Sequence, residues 1–473
     1  MEERGIARRI TLVLLVGLLV VQILVYALDF STSISYNVGD SVFSLYNNNL
    51  ATNFGNLALS FNISHQSDIF QFLGSVGALN DGVFNDPFAN SYYAGFYFVI
   101  NESGIRFNNG PLKITFGKLH QDDIVDSPFS LFISSFPVPR NQLDLTYDDG
   151  KFIYITRWIE LTNLKNSSDV YEKLRSANYK VYAVRLGNFR FGYQDVTIYV
   201  GKNFDFEYFA NPVPSFFIQY VNDAGRPYPE GAGETNSIMG FFADYTDSGK
   251  YWYAQILVDD INVNRFLHPE SYQNPDKIAW SFGGIQHTDF GTLRFYHAGA
   301  TKYTFQPSAE SGNQRYYGYT YYTDFTYARD SKIFVLPLEM LYSGYKYGEN
   351  NLAFLLSFAP NLLPELNSFF ELVVLGERSP INPWNDRTSF LPGTHLLEDE
   401  VKEFRFISTF EYSKKLTDLF RVGTKLSAGY VWNSSVIVPV DSDNVKKPVL
   451  RPLSGNNFPF FSVNVTFSFS MTF

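Results

Sequence analysis

The C-terminal segment constrains the fold of this chain more than any other part. From Phe461 to Phe473 the sequence reads FSVNVTFSFSMTF, an apolar residue alternating with serine, asparagine or threonine throughout. Side chains of a β-strand point alternately to its two faces, so the segment predicts a strand with one apolar and one small-polar face. Soluble sheets and membrane-spanning barrels both use such strands, and in a barrel the apolar face contacts lipid.

The same alternation recurs along most of the chain. It begins again at Leu28, Trp252, Phe370, Phe404 and Phe420. Charges in these segments lie opposite the apolar face. A single open sheet of so many strands would leave unpaired edges, which closure into a barrel removes. We therefore predict an all-β fold, a transmembrane antiparallel up-and-down barrel with roughly 16–20 strands for a chain of this length. A sandwich array or propeller would show a repeated unit, and we find none.

The amino-acid composition excludes several other classes of protein. The chain has 473 residues, 47 Phe, 33 Tyr, no cysteine and a net charge of −10. The absence of cysteine excludes disulfides, a thiol nucleophile and cysteine-bound metals, and the acidic balance argues against a nucleic-acid partner. No long apolar run follows the N-terminus, so a polytopic helical membrane protein is excluded. Clusters at predicted strand ends, such as Tyr319 to Tyr322 and Tyr342 to Tyr347, suit the aromatic girdles of a barrel.

The N-terminus is predicted to be a secretory signal peptide, residues 1–27. Arg4, Arg8 and Arg9 precede an apolar run from Ile10 to Val25, and cleavage is expected after Ala27. The alternative is an uncleaved anchor, for which the run is short. Residues 28–473 would form one barrel domain, with a net charge of −11 after loss of three basic and two acidic residues.

Breaks in the alternation predict loops. Five are candidates for the outer surface: Asn211 to Asn236, Phe266 to Lys277, Gln306 to Gln314, Gly376 to Glu400 and Asn433 to Pro459. One short helix within a connection is predicted after Ser168, which has the composition of a helix cap.

Two parts of the sequence carry a resemblance to known proteins. A terminal Phe closing an apolar face resembles the C-terminal signal of bacterial outer-membrane barrels. The order YWYAQILVDD, IAWSFGGIQH, GTLRFYHAGATKYTF and YYGYTYYTDF (Tyr251 to Phe325), with the strand pair from Tyr179 to Pro214, resembles the Wzi-type capsule-assembly barrels. The similarity covers about a third of the chain. It does not extend to the family's N-terminal helical portion, because strand alternation here begins at Leu28.

The resemblance implies an 18-stranded protein of the bacterial outer membrane that binds or organises surface polysaccharide and has no enzymatic activity. Its partners would be outer-membrane lipid, the barrel-insertion machinery and the polysaccharide. No catalytic motif occurs in the sequence, and we predict no catalytic residues, no metal site and no cofactor. A general diffusion porin with a charged lumen is the alternative, and an outer-membrane enzyme is a third class for which no nucleophile and base can be named.

Alternation also predicts which polar side chains point into the barrel. The lumen-facing candidates are Arg185, Glu207, Gln255, Asp259, Arg294, Glu339, Glu371, Arg405, Glu411, Arg421 and Lys425. They either pair with one another and fill the interior or line a channel that selects solutes. Aromatic residues predicted on loops could stack on sugar rings, and packing within the loops is the alternative: Tyr228, Tyr272, Tyr316, Tyr317 and Trp384.

Overall fold

The computed structural model describes most of the chain. The described residues are 29–39, 56–80, 96–134, 139–163, 174–224, 235–261, 264–270, 273–307, 314–322, 326–329, 332–335, 341–379, 390–442 and 445–472.

Eighteen antiparallel strands form a closed barrel, in which the first strand pairs with the last. The prediction of an all-β up-and-down barrel is therefore confirmed. In chain-order numbering, the wall strands are β1 (Asp29–Gly39), β2 (Asn56–Gln66), β3 (Phe70–Leu79), β4 (Tyr97–Asn109), β5 (Leu112–Leu119), β6 (Arg140–Asp148), β7 (Phe152–Asn163), β8 (Leu174–Leu186), β9 (Phe189–Val200), β10 (Thr235–Asp247), β11 (Lys250–Asp260), β12 (Gln273–Thr288), β13 (Gly291–Ala300), β16 (Asn351–Pro360), β17 (Leu366–Leu375), β19 (Glu403–Lys415), β20 (Phe420–Trp432) and β23 (Phe458–Thr472).

The other described elements lie in connections. Strands β14 (Thr326–Arg329) and β15 (Lys332–Val335) form one hairpin, and β21 (Ser435–Ser442) and β22 (Val445–Pro452) form another. Strand β18 (Phe390–Thr394) pairs in parallel with the start of β12. The described helices are α1 (Phe206–Ala210), α2 (Ser215–Ala224) and α3 (Asn264–Leu267). In the described part of the chain, no helix has the length and apolar character needed to cross a membrane. The helix predicted after Ser168 lies outside the described residues.

The two faces of the wall follow the alternation in the sequence. Every wall strand exposes at least one large apolar residue on its outer face, from Ile34 on β1 to Phe241 on β10 and Phe467 on β23. Together they form a continuous apolar band around the barrel, which we call the outer band. Soluble proteins rarely expose so large an apolar surface, whereas a lipid-facing barrel requires one.

The two ends of the barrel differ in their connections. At one end, which also holds the start of β1 and the end of β23, eight connections have two to five residues. Several turn on glycines with positive φ, such as Gly187 at 61° and Gly249 at 77°, a conformation that residues with a Cβ rarely adopt. At the other end the wall strands are joined by connections of ten or more residues. We call these the turn end and the loop end.

Candidate functional site: the filled lumen and its polar wall

The connection between β5 and β6 folds into the barrel rather than over it. We call residues 120–134 the first inward segment. The amide of Asp126 donates to the Tyr251 hydroxyl at 2.9 Å, and Arg190 Nη2 donates to the Ile124 carbonyl at 2.8 Å. Tyr251 and Arg190 are each the second residue after a turn at the turn end. The segment therefore crosses the lumen and reaches almost the full depth of the wall.

Asp123 fixes the shape of this segment. Its carboxylate accepts hydrogen bonds from the amides of Phe132, at 3.1 Å, and Ile133, at 3.3 Å. Gln255 Nε2 on β11 donates to both oxygens, at 3.1 and 3.2 Å, and Gln255 Oε1 accepts from the Leu131 amide at 2.9 Å. Gln255, a predicted lumen-facing residue, thus joins the wall to the segment.

The connection between β13 and β16 meets the first inward segment in the lumen. We call its described residues 301–307, 314–322 and 341–350 the second inward segment. The Ser134 amide donates to the Ser343 carbonyl at 2.8 Å, and the Tyr345 amide donates to the Leu131 carbonyl at 3.2 Å. Gly344 lies between these bonds, where an added Cβ would stand 2.3 Å from the Leu131 oxygen. Only glycine permits this approach.

The two inward segments share one apolar core with the wall. Phe129 is completely buried, and its ring contacts Tyr345 and Tyr347 with centroids 6.0 and 6.2 Å apart. The same core includes inward-facing wall residues from β7, such as Ile155, to β17, such as Val373. We call this assembly the plug. Because its side chains pack as a protein interior does, this part of the lumen is filled.

The tyrosine clusters predicted as membrane girdles belong to the plug. Tyr319, Tyr321, Tyr342 and Tyr345 are buried in its core, so the girdle prediction is wrong for these residues. The reason is that their connection turns inward, whereas strand-end aromatics at a membrane interface would face outward. Tyr316 and Tyr317 are also buried, at 2% and 5% exposure, and pack against Val200 rather than being presented to a sugar.

Two arginines of the wall contact the plug near the loop end. Arg175 on β8 is completely buried and donates to the carbonyls of Tyr316, at 2.6 Å, and Gly318, at 2.8 Å. The Arg140 guanidinium lies over the rings of Tyr321 and Tyr322, 4.8 and 4.6 Å from their centroids. Neither arginine was among the predicted lumen residues, because their partners come from a distant connection.

Several predicted lumen-facing residues lie inside the barrel and contact the plug or one another. Glu371 accepts from Lys346 Nζ at 2.8 Å and from the Tyr347 hydroxyl at 2.7 Å. Asp259 accepts from the Phe305 amide at 2.8 Å. The remaining contacts are Arg405 with Glu403, Lys425 with Glu411 at 2.9 Å, and Arg185 with Asp148 at 3.2 Å near the turn end.

The other predicted site residues have different locations. Strand register puts Arg294 and Arg421 on the lumen side of β13 and β20. Glu207 lies instead on helix α1, outside the wall, because Asp205 caps a helix there and its side chain accepts from the Glu207 amide at 2.9 Å. Glu339, Tyr228, Tyr272 and Trp384 lie outside the described residues. Among the described residues, no group of three or more His, Asp or Glu could hold a metal ion.

The lumen wall away from the plug is lined by small polar residues. On β1 to β4 these form a chain of hydrogen bonds: Asn62 Nδ2 donates to Ser31 Oγ at 3.1 Å, Ser75 Oγ to Asn62 Oδ1 at 2.5 Å, and Asn101 Nδ2 to Ser75 Oγ at 3.2 Å. A cavity of about 380 Å³ at the turn end is lined partly by Asn62, Arg421 and Ser468. Among the residues that the structure describes, this side of the lumen is polar and retains a cavity.

A second polar cluster lies at the loop end and joins two of the connections there. Asp399 accepts from Lys302 Nζ at 2.8 Å, from Asn350 Nδ2 at 2.6 Å and from the Glu377 amide at 3.1 Å. Burial raises the pKa of the Asp399 carboxyl, but the hydrogen bond and charge of Lys302 outweigh it and hold that pKa below its usual value. The connection that contains β18 is thereby attached to the top of the second inward segment.

Acid is expected to release this connection only at low pH. Because the folded-state pKa of Asp399 is lowered, its stabilisation is present above the unfolded pKa and is lost as the pH falls through the folded pKa. Limited proteolysis of residues 390–402 should therefore be unchanged from neutral pH to about 4, near the ordinary aspartate pKa. Asp399→Ala should give rapid cleavage at neutral pH, and the exposed Glu398→Ala is the control. Equal cleavage of both variants would contradict the assignment.

Comparisons with known proteins agree with this geometry. No protein-family model matches the chain, and no curated protein matches it. A structure described as Wzi, an outer-membrane protein involved in group 1 capsule assembly in Escherichia coli and a carbohydrate-binding β-barrel, has a TM-score of 0.53 at 10% identity. The match covers 94% of this chain and 85% of that one. This chain has the fold of the Wzi-type outer-membrane barrels.

Structures of Occ proteins also match over most of their length. OccD3 of Pseudomonas aeruginosa gives a TM-score of 0.45 at 10% identity, over 94% of this chain and 91% of that one. OccAB2 of Acinetobacter baumannii gives 0.46 at 12% identity, over 94% and 98%.

Proposed function

We propose that this protein is a bacterial outer-membrane barrel that binds or organises surface polysaccharide and does not act as an enzyme. The observation that carries the proposal is the plug. A general diffusion channel needs a continuous water-filled path, whereas the two inward segments here are joined by backbone hydrogen bonds around a buried aromatic core. The carbohydrate-binding description of the Wzi structure is consistent with this proposal.

The membrane location rests on the outer band. An apolar residue on every wall strand suits contact with acyl chains, and charges in that band would cost about 2–4 kcal/mol each at the bilayer midplane. The turn end would face the periplasm, as short turns do in such barrels, and the loop end would face the cell exterior.

A diffusion porin remains the second candidate, because of the polar lumen wall. The hydroxyl and amide groups of β1 to β4 and the exposed Arg421 would suit passage of hydrated solutes if a path ran beside the plug. Ion conductance separates the two candidates, since a binding protein with a closed lumen conducts little.

Binding of purified capsular polysaccharide tests the proposal directly. We expect the triple variant Tyr228→Ala, Tyr272→Ala and Trp384→Ala to bind at least about tenfold more weakly, because each ring that stacks contributes about 1 kcal/mol. Phe290→Ala removes an aromatic ring that is 61% exposed at the turn end and is the matched control.

A second pair of variants tests the outer loops without disturbing their anchors. Excision of residues 381–389 leaves Ser379, whose amide is held by Glu349, and excision of 440–447 leaves Leu450, which pairs with Arg378. Reduced polysaccharide binding with an unchanged barrel fold is expected. Unchanged binding by all of these variants would overturn the loop-binding proposal.

A further inference from the structure

The connection that follows β9 folds back over the outside of the barrel. We call residues 201–224, which contain α1 and α2, the external segment. Trp158 Nε1 on β7 donates to the Asn203 carbonyl at 2.6 Å, and Thr156 Oγ1 donates to the Phe209 carbonyl at 2.8 Å. Arg157, between these two residues, points into the lumen and pairs with Asp144. The alternation therefore places Thr156, Trp158 and the external segment on the outer face.

The wall beneath the external segment departs from the outer band. The outward residues of β8 and β9 here are polar and completely buried: Ser176, Asn178, Lys180, Asp195 and Thr197. Lys180 and Asp195 are partners in the register of the two strands. Without a cover, this part of the wall would present two charges and three polar side chains to its surroundings.

Both charged side chains form hydrogen bonds with the external segment. Lys180 Nζ donates to the carbonyls of Asn211, at 2.7 Å, and Val213, at 2.8 Å. Asp195 accepts from the amide of Ser215, at 2.9 Å, and from its hydroxyl, at 2.7 Å. Because these contacts hold residues from Asn211 to Ser215, where α1 ends and α2 begins, they define the location of the segment on the wall.

The polar strip extends to the midpoint between the turn end and the loop end of the wall, and this position determines what surrounds it. Lys180 is the central residue of β8, which runs from Leu174 to Leu186. On the turn-end side of the strip, the outward residues of β8 and β9 are apolar or aromatic. Val184 on β8 and Phe191 on β9 are exposed. A row of rings, Tyr154, Tyr182, Tyr193 and Phe241, crosses β7 to β10 directly beside the strip, with neighbouring centroids 5.2, 6.1 and 5.7 Å apart.

The external segment has an apolar outer surface of its own. Tyr208 and Ile218 face the wall and are buried, whereas Phe206, Phe217 and Tyr220 are 73%, 56% and 57% exposed. A groove of about 680 Å³ on the outer wall, on the turn-end side of the polar strip, is lined partly by Tyr182, Val184, Phe191 and Phe241. The exposed aromatic surface of the segment therefore lies on the same side of the wall as the outer band.

We propose that the external segment is embedded in the membrane leaflet at the loop end, where Phe206, Phe217 and Tyr220 contact lipid acyl chains. The segment replaces the wall as the lipid-facing surface and shields the polar strip, whose charges would otherwise face hydrocarbon at mid-wall. An amphipathic helix with an aromatic face suits such a position. The inference rests on the proposed membrane location of the barrel.

Site-directed spin labelling in phospholipid vesicles tests this placement. The chain has no cysteine, so each single-cysteine variant carries one nitroxide. The test variants are Phe217→Cys and Phe206→Cys, Phe241→Cys in the outer band is the lipid reference, and Asp418→Cys, with a 98% exposed side chain in a turn, is the water reference. Relaxation by oxygen, which partitions into lipid, is compared with relaxation by a water-soluble nickel chelate.

Labels at positions 217 and 206 should match the label at 241, with high oxygen and low nickel accessibility. If they match the label at 418 while 241 reports lipid, the segment faces water and the inference is wrong, although the membrane barrel stands. If 241 also reports water, the proposed membrane location fails. Low accessibility to both reagents would indicate a bound protein or polysaccharide and would equally overturn acyl-chain contact.

Lys180→Met provides an independent test of the shield. It removes the donor to two carbonyls, so the segment should detach and become cleavable by protease added to the exterior of the vesicles. The label at position 217 in this background should lose its lipid signature. Lys202→Met, which removes a half-exposed lysine of the same segment, is the control. A segment that stays on the wall and resists protease in the Lys180→Met variant would contradict the anchoring of the segment by Lys180.

Discussion

Replacing Gly344 by valine is expected to raise the ion conductance of the purified protein in planar bilayers by at least about tenfold, because separating the inward segments opens a path for ions through the lumen. A Cβ at this position would lie 2.3 Å from the Leu131 carbonyl oxygen, within the backbone pairing of the two inward segments. The backbone must therefore separate at this point, and the Ser134 and Tyr345 hydrogen bonds are lost with it. The wild-type protein should show only small or brief openings.

The control is Gly423→Ala, a smaller substitution at another glycine on the lumen side. A Cβ there would meet its first neighbour, Thr466 Cβ, at 3.8 Å, an ordinary contact, so conductance should stay at the wild-type level. Large, steady channels in the wild type would overturn the binding proposal in favour of the porin. Wild-type conductance in a folded Gly344→Val variant would show that the plug does not depend on this pairing.

Asp123→Ala is expected to increase hydrogen exchange of the amides from Leu131 to Ser134 by about a hundredfold. The substitution leaves the buried amides of Phe132 and Ile133 without their acceptor and removes two of the hydrogen bonds that Gln255 Nε2 donates. Unsatisfied buried donors cost about 1–3 kcal/mol each, so a loss of about 3 kcal/mol in local stability is expected. Exchange measured by mass spectrometry on the refolded barrel would detect it.

Asp122→Ala is the neighbouring control. Its side chain is exposed, and its contact with the wall is made by its backbone carbonyl, which accepts from Arg157. The protection of Leu131 to Ser134 should therefore be unchanged. Equal loss of protection in both variants would mean that charge, rather than the acceptor geometry of Asp123, holds the segment.

Prediction from the sequence succeeded where structure depends on neighbouring residues. The alternation Trp252, Ala254, Ile256 against Tyr251, Gln255 describes the two faces of β11, because a strand repeats every two residues whatever lies beside it. The strand pattern and the length together led to the barrel, and the structure confirms the closed ring of eighteen strands.

Prediction from the sequence failed for connecting segments, which can pack either inside the barrel or on its outer face. Tyr319 and Tyr342 were expected at the membrane interface but lie in the plug. The predicted outer loop at Gln306 to Gln314 begins with a residue that is only 2% exposed and donates to Glu349 inside the barrel. A local signal was present for Glu207, because Asp205 three residues before Tyr208 is a typical helix cap.

By itself, the sequence determined the closed β-wall, its apolar outer band and its polar lumen face. This was possible because the period-two alternation of a strand depends only on consecutive residues. Only the tertiary structure decided that the lumen is plugged and that part of the outer wall is covered. The contacts responsible join residues far apart in the chain, such as Gln255 and Asp123, 132 positions apart, or Lys180 and Asn211. No local pattern specifies such pairs, because their energy depends on which side of the closed wall each connection packs against.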